Sequence, residues 1–307
     1  MKPLHQQAIR KYAVSAILFG VISISVYITA CIFTNNFIVF FLLFITLIVS
    51  KIFFPIMANK ILLPVLLNEM DAEEFQKIVD NKRFTVSPMY QITAALSSGD
   101  YQKVVNISTK KLFDQKTSIK LKCFYLTALA RAYFEVRDFE KLQIAVAKFQ
   151  EYKEIYSPEQ FALVDNSVWE YYQNFLKQDY KACKTICKER NSKLKSGTSK
   201  YKFRKLQNNL YYALACYEND DIDTAKNCFE TITSNAPKLN IARLSAKYLN
   251  AIEQNLDIPF TTPSLVPDID FEIFDSKTLA KLKRRKIILY IGIAIYVCRF
   301  IIADFLS

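Results

Sequence analysis

The sequence predicts an all-α protein, a domain of repeated helical hairpins carried by three membrane-spanning helices. Three observations predict it. First, one local pattern recurs at Asp100-Tyr101-Gln102-Lys103, Asp138-Phe139-Glu140-Lys141, Asp179-Tyr180-Lys181-Ala182 and Asp221-Ile222-Asp223-Thr224, at separations of 38, 41 and 42 residues. Near-periodicity on that scale marks a repeat array. Second, apolar residues make up 51% of the chain and concentrate at residues 12–58 and 287–303. Third, glycine is scarce. Gly20 and Gly292 lie in the apolar runs, and Gly99 and Gly197 lie at turns. Nucleotide-binding loops need clustered glycines so that backbone N–H groups can approach phosphate, and this chain has none.

The elements follow in order. Lys2, Arg10 and Lys11 precede an uncharged run from Tyr12 to Phe33. As a helix it reaches about 33 Å, enough to cross the hydrocarbon core. Thr34, Asn35 and Asn36 form a polar turn, and a second apolar run, broken by Lys51, extends from Phe37 to Ala58. Two spans joined so closely form an antiparallel hairpin. Positive residues flank its open end, which sets both termini of the hairpin in the cytoplasm. Ile28-Thr29-Ala30-Cys31 also matches the lipobox of bacterial lipoproteins, and a cleaved signal peptide is the competing reading. Pro55 and Pro64 limit continuous helix from there to Leu67, in a juxtamembrane segment set against the bilayer or forming the first soluble helix.

Asp71-Ala72-Glu73-Glu74 is acidic, as a helix start should be, with Phe75, Ile78 and Val79 following at helical spacing. Beyond Ser87-Pro88 the apolar periodicity predicts helix pairs over 88–97 with 100–113, 118–136 with 138–155, 158–177 with 179–191, and 200–218 with 221–234. A closing helix covers 238–254. Each recurring Asp is placed to N-cap the second helix of its pair. Residues 257–276 carry Pro259, Pro263 and Pro267 and then acids, which reads as an extended linker. It leads to Lys281, Lys283, Arg284, Arg285 and Lys286, and to a third span at 287–303 containing Arg299. The expected domains are 1–67 (membrane hairpin and juxtamembrane segment), 68–255 (repeats), 256–286 (linker and basic stop) and 287–307 (third span).

Leu126-x2-Leu129-Ala130-x2-Tyr133 and Ala225-x3-Phe229 with Pro237, together with Ala213, resemble the two halves of the tetratricopeptide-repeat motif. The spacing exceeds the about 34 residues of that family, and Leu142 and Cys183 stand where it carries Ala. The resemblance covers about half the chain. It implies that the first helices of the units line a concave, partner-binding face near Thr127, Arg131, Phe134, Asp165, Tyr172, Gln207 and Tyr217. The aromatics among these read as core before groove, while Arg131 and Asp165 suit either.

Chemistry is sparse. The single histidine, His5, sits in the N-terminal tail, which removes His-based triads and metal sites. The seven cysteines are scattered and odd in number, so they read as buried thiols in a reducing compartment. No cofactor and no catalysis are expected. Charge is the remaining signal. Residues 177–205 hold eleven Lys or Arg and two acids, +9 of the chain's formal +12. Lys193, Lys195, Lys200, Lys202, Arg204 and Lys205, with the 281–286 cluster, form a candidate contact for anionic lipid. Nucleic acid is disfavoured, because no binding motif accompanies the charge. The function expected is a non-catalytic scaffold in a bacterial plasma membrane, binding another protein at the cytoplasmic face. Alternatives are a subunit of a membrane transport or envelope enzyme complex, or a lipid-surface sensor.

Overall fold

The computed structural model describes residues 3–33, 36–81, 87–114 and 116–256. Among these, every regular element is helical. The linker, the 281–286 basic cluster and the third span with Arg299 lie outside the described residues. The hairpin and the helices that follow it belong to one compact unit.

Helices α1 (Leu4–Phe33) and α2 (Asn36–Ile61) pack against each other. Phe19 stacks on Phe53 at 4.5 Å and meets Phe54 edge-on at 5.6 Å. Their other apolar side chains face outward: Ile17, Ile22, Ile32 and Leu47 are each more than 60% exposed. An outward apolar surface of this extent marks contact with a membrane or with another protein. Two helices, Leu4–Ile32 and Phe41–Leu67 as apolar segments, are long and apolar enough to span a membrane. Pro55 does not interrupt α2, contrary to expectation. The chain breaks instead at Leu62, and Pro64 sits in the first turn of α3 (Leu63–Leu67), where its missing N–H has no helical partner to lose. Leu66 is fully buried, so this segment is core and not a bilayer-facing strip.

The remaining helices are α4 (Ala72–Val79), α5 (Pro88–Ser98), α6 (Tyr101–Phe113), α7 (Ile119–Glu135), α8 (Phe139–Ile155), α9 (Asn166–Leu176), α10 (Tyr180–Ser192), α11 (Ser199–Tyr217), α12 (Ile222–Asn235) and α13 (Asn240–Gln254). Consecutive helices from α4 onward pack against one another. One turn is repeated throughout. Gly99, Arg137, Gln178 and Asp220 all have φ between 57° and 78°. The Asp that follows each donates its N–H to a carbonyl five residues back: Ala95, Tyr133, Asn174 and Cys216, at 2.8–2.9 Å. This left-handed closure satisfies carbonyls that the ending helix leaves unpaired. The same Asp then opens the next helix. Asp100, Asp138 and Asp179 accept from the N–H three residues on, at 3.1, 3.1 and 3.0 Å. Asp221 occupies the cap without that bond. Asn255 after α13 uses the same left-handed device, with Leu256 donating to the Ala251 carbonyl at 3.0 Å, and Met70 before α4 is also left-handed, with Asp71 donating to the Val65 carbonyl six residues back at 3.3 Å.

One expected helix is divided. Residues 158–177 form a 3-10 turn at Pro158–Phe161 and then α9. Phe161 anchors the turn against Phe149, at 5.6 Å between rings. Asp165 then restarts the helix, accepting from the Ser167 N–H at 3.1 Å and its hydroxyl at 2.5 Å.

The array does not stay open. Helix α13 packs against α12 and also returns to α5, and α11 touches α3. Asn240 Nδ2 donates to the Tyr101 hydroxyl at 2.6 Å, Arg243 donates to the Ser98 carbonyl, and Lys238 pairs with Asp71 at 2.5 Å.

Candidate functional site

The inner row of the array is a packed seam. Phe134 on α7 lies within 5.0–5.7 Å, ring to ring, of Tyr171, Tyr172, Phe175 and Tyr211. Trp169 stacks on Phe149 at 4.1 Å, and its N–H donates to the Thr127 hydroxyl at 3.2 Å. Phe134 and Tyr172 are buried, while Thr127, Arg131 and Tyr217 are half-buried. Four of the seven residues expected along a concave face, Thr127, Arg131, Phe134 and Tyr172, therefore meet at this seam, and Tyr217 packs elsewhere against Tyr248.

The seam holds a polar chain. Arg131 Nε donates to Glu135 Oε1 at 2.6 Å, and the Tyr101 hydroxyl donates to Glu135 Oε2 at 2.8 Å. Glu135 is 3% exposed, so both carboxylate oxygens are served from within the protein. The Tyr172 and Tyr211 hydroxyls sit 3.0 Å apart. Burial pushes the Tyr101 and Tyr172 hydroxyls well above the ordinary phenol range, helped respectively by Glu135 and Tyr211. They stay protonated and act as hydrogen-bonding groups. A second node joins distant turns. Arg137 Nη1 reaches Glu218 Oε1 at 2.6 Å and the Tyr248 hydroxyl at 3.1 Å, and Tyr217 packs edge-on against Tyr248 at 5.1 Å.

Asp165 and Gln207 lie elsewhere. They line a cleft of about 590 Å³ bounded by α9, α10 and α11, together with Lys193 and Arg204 from the basic stretch. The structure thus joins two residues expected at a protein groove with two expected at a lipid surface. Arg190, which the sequence did not single out, stands among them, its Nε 3.4 Å from Asp165 Oδ2. The signal that marked it was only its place in the basic run. Lys195, Lys200, Lys202 and Lys205 are exposed along the adjoining loop and helix.

Among the described cysteines, Cys123, Cys183, Cys187 and Cys216 are buried and Cys228 is half-buried, whereas Cys31, expected to be buried like the rest, is exposed on α1. Burial pushes Cys183 and Cys187 up to about 12, which keeps them protonated at neutral pH. Among the described residues no group of three or more His, Cys, Asp or Glu could hold a metal ion. His5 is more than a tail residue. It lies in the first turn of α1, and its backbone N–H and Nδ1 meet Glu74 Oε2 at 3.1 and 2.7 Å. Lys77 and then His5 hold the Glu74 carboxyl down at about 2. No protein-family model, no curated protein and no solved structure matches the chain.

Proposed function

We propose that this protein is a membrane-held scaffold that binds another protein and carries out no catalysis. In this reading α1 and α2 cross the bilayer, and helix pairs of tetratricopeptide type lie at the cytoplasmic face. The charge pattern supports the orientation, since Lys2, Arg10, Lys11 and Lys60 all lie toward the open end of the hairpin. The observation that carries the reading is the union of a membrane-length hairpin with stacked helix pairs in one unit. His5 on Glu74 and the Tyr90 hydroxyl on Asn59, at 2.8 Å, fasten the two parts together. A stack of helices offers a large surface with little covalent chemistry, which suits docking. The partner meets surface outside the seam, because Phe134 and Tyr172 are buried within it.

The test combines topology with co-purification. Cysteines placed at 193 and 195 are expected to resist an impermeant thiol reagent in intact cells and to react after lysis. A partner is expected to co-purify with the full chain from detergent-solubilised membranes and not with the hairpin alone. External labelling, or equal recovery with the hairpin alone, contradicts the reading. A second reading is favoured by the exposure of Lys195, Lys200, Lys202 and Lys205. There the stretch rests on anionic lipid, each charge contributing about 1 kcal/mol.

A further inference from the structure

Two residues in the cleft between α9, α10 and α11 carry atoms with no hydrogen-bond partner among the described residues: Nη1 of Arg190 and Oδ1 of Asn208. Both side chains are held firmly. Arg190 has Asp165 at its Nε, 3.4 Å away, and its Cζ lies 5.8 Å from the centre of the Tyr211 ring. Asn208 is 2% exposed, and its Nδ2 donates to the Cys187 carbonyl at 2.7 Å. That bond fixes the amide's orientation and leaves Oδ1 as the idle end. Behind the lining of the cleft therefore lie a buried donor and a buried acceptor, neither with a partner among the described residues. Native proteins rarely leave such groups unpaired. A single molecule that accepts at one end and donates at the other satisfies both.

The surrounding charge selects the accepting end. Arg190, Lys193 and Arg204 bring three cations to the cleft, against Asp165 and Glu170. Asp165 is already engaged at Nε, so the free face of the guanidinium and the two other cations favour an anion. Guanidinium and ammonium groups together suit phosphate, the first through its planar fork and the second as a mobile point charge. The cleft, at about 590 Å³, is larger than one anion requires and leaves room for an attached polar body. Nη1 and Oδ1 are covered from water, so a ligand reaches them only as the lining shifts. Lys193 and Arg204 line the same cleft from exposed positions.

We propose that the α9–α10–α11 cleft binds a phosphate ester that carries a hydroxyl or ammonium donor beside the phosphate. The phosphate oxygens meet Arg190, Lys193 and Arg204, and the donor meets Asn208 Oδ1. Two sources present this chemistry: a soluble glycerol or sugar phosphate, and the headgroup of phosphatidylglycerol or phosphatidylethanolamine. The inference is independent of protein docking, and no result of its test bears on that reading.

The experiment uses the full chain, delipidated in neutral detergent. In one arm glycerol 3-phosphate is titrated calorimetrically, with inorganic phosphate as the control. In the other, native mass spectrometry follows adducts of phosphatidylglycerol, phosphatidylethanolamine and phosphatidylcholine, the last having no N–H or O–H to donate. Saturable binding of glycerol 3-phosphate identifies a soluble source. Preference for the donor-bearing lipids alone identifies a headgroup. In either case the double variant Lys193→Gln/Arg204→Gln, altered only at exposed positions, is expected to bind about tenfold more weakly. Arg190→Lys, which keeps the charge but loses the fork, is expected to weaken binding as well. The proposal is overturned if neither arm shows saturable binding or if the double variant binds like the parent. It is also overturned if inorganic phosphate and phosphatidylcholine bind as tightly as their donor-bearing counterparts.

Discussion

Gly99 is the residue on which two constraints meet. Its φ is +78°, and a Cβ there would stand 2.3 Å from Asn240 Oδ1. Arg137, Gln178 and Asp220 hold the equivalent position with φ near 60°, so the turn tolerates a side chain at some cost. At Gly99 the cost doubles, because Asn240 must withdraw and release the Tyr101 hydroxyl. Gly99→Ala is expected to destabilise the protein by about 2–3 kcal/mol, about half from backbone strain and half from the lost contact. Gly197 supplies the control. Its φ is +82° but nothing lies near the added carbon, so Gly197→Ala is expected to cost about 1 kcal/mol. Denaturant unfolding of the full chain in detergent measures both. Equal effects would show that Asn240 does not restrain Gly99.

At the scale of the element, the recurring Asp was readable before any coordinates because capping is local. A carboxylate needs only to lie ahead of an apolar helical stripe to find the free N–H groups of the first turn. Asp100, Asp138 and Asp179 do so, while Asp221 does not. Thr224 and then Lys184, at 3.6 Å, hold the Asp221 carboxyl below the usual range. Replacing Asp138 or Asp179 with Ala is therefore expected to cost about 1 kcal/mol each. Asp221→Ala is expected to cost measurably less, because its partners are on an exposed face where pairing contributes little. Comparing unfolding midpoints across the variants decides this, and a uniform loss would contradict the difference in capping. The partner device, the left-handed residue before each Asp, was not readable. Only Gly99 carries the composition that signals it; Arg137, Gln178 and Asp220 do not. The split at 162–165 escaped for a related reason. Its apolar pattern continues across the break, and only the placement of Phe161 against Phe149 bends the chain.

At the scale of the described helices taken together, the return of α13 to α5 joins the last helix to the early ones. Helix α13 meets α12 through a buried apolar face that includes Ile241, Leu244 and Tyr248. Its named bonds to the start of the array are polar: Lys238 to Asp71, Asn240 to Tyr101 and Arg243 to Ser98. Polar contacts with exposed members weaken when their charges are removed, whereas the apolar face does not depend on them. The double variant Lys238→Gln/Arg243→Gln is expected to loosen this joint and leave the rest intact. Amide exchange of the Ser97–Tyr101 turn should accelerate by about tenfold or more, while the 174–180 turn keeps its protection. Unchanged exchange at both turns would mean that apolar packing alone closes the array.

The sequence by itself determined the helical class, the two N-terminal spans of membrane length, the recurring caps and helix boundaries close to those observed. Each is set within one element, by apolar spacing at three and four residues or by a cap one turn away. The tertiary structure alone decided that α3 is core and that His5 reaches Glu74 across 69 residues. It alone decided that α13 returns to α5, with Asn240 bonded to Tyr101 across 139 residues. It also separated Asp165 and Gln207 from the aromatic seam and placed them beside Arg190, Lys193 and Arg204. Periodicity states which face of a helix is apolar but not which other helix covers it. That choice depends on how successive hairpins rotate as they stack, through side-chain shapes brought together from distant parts of the chain.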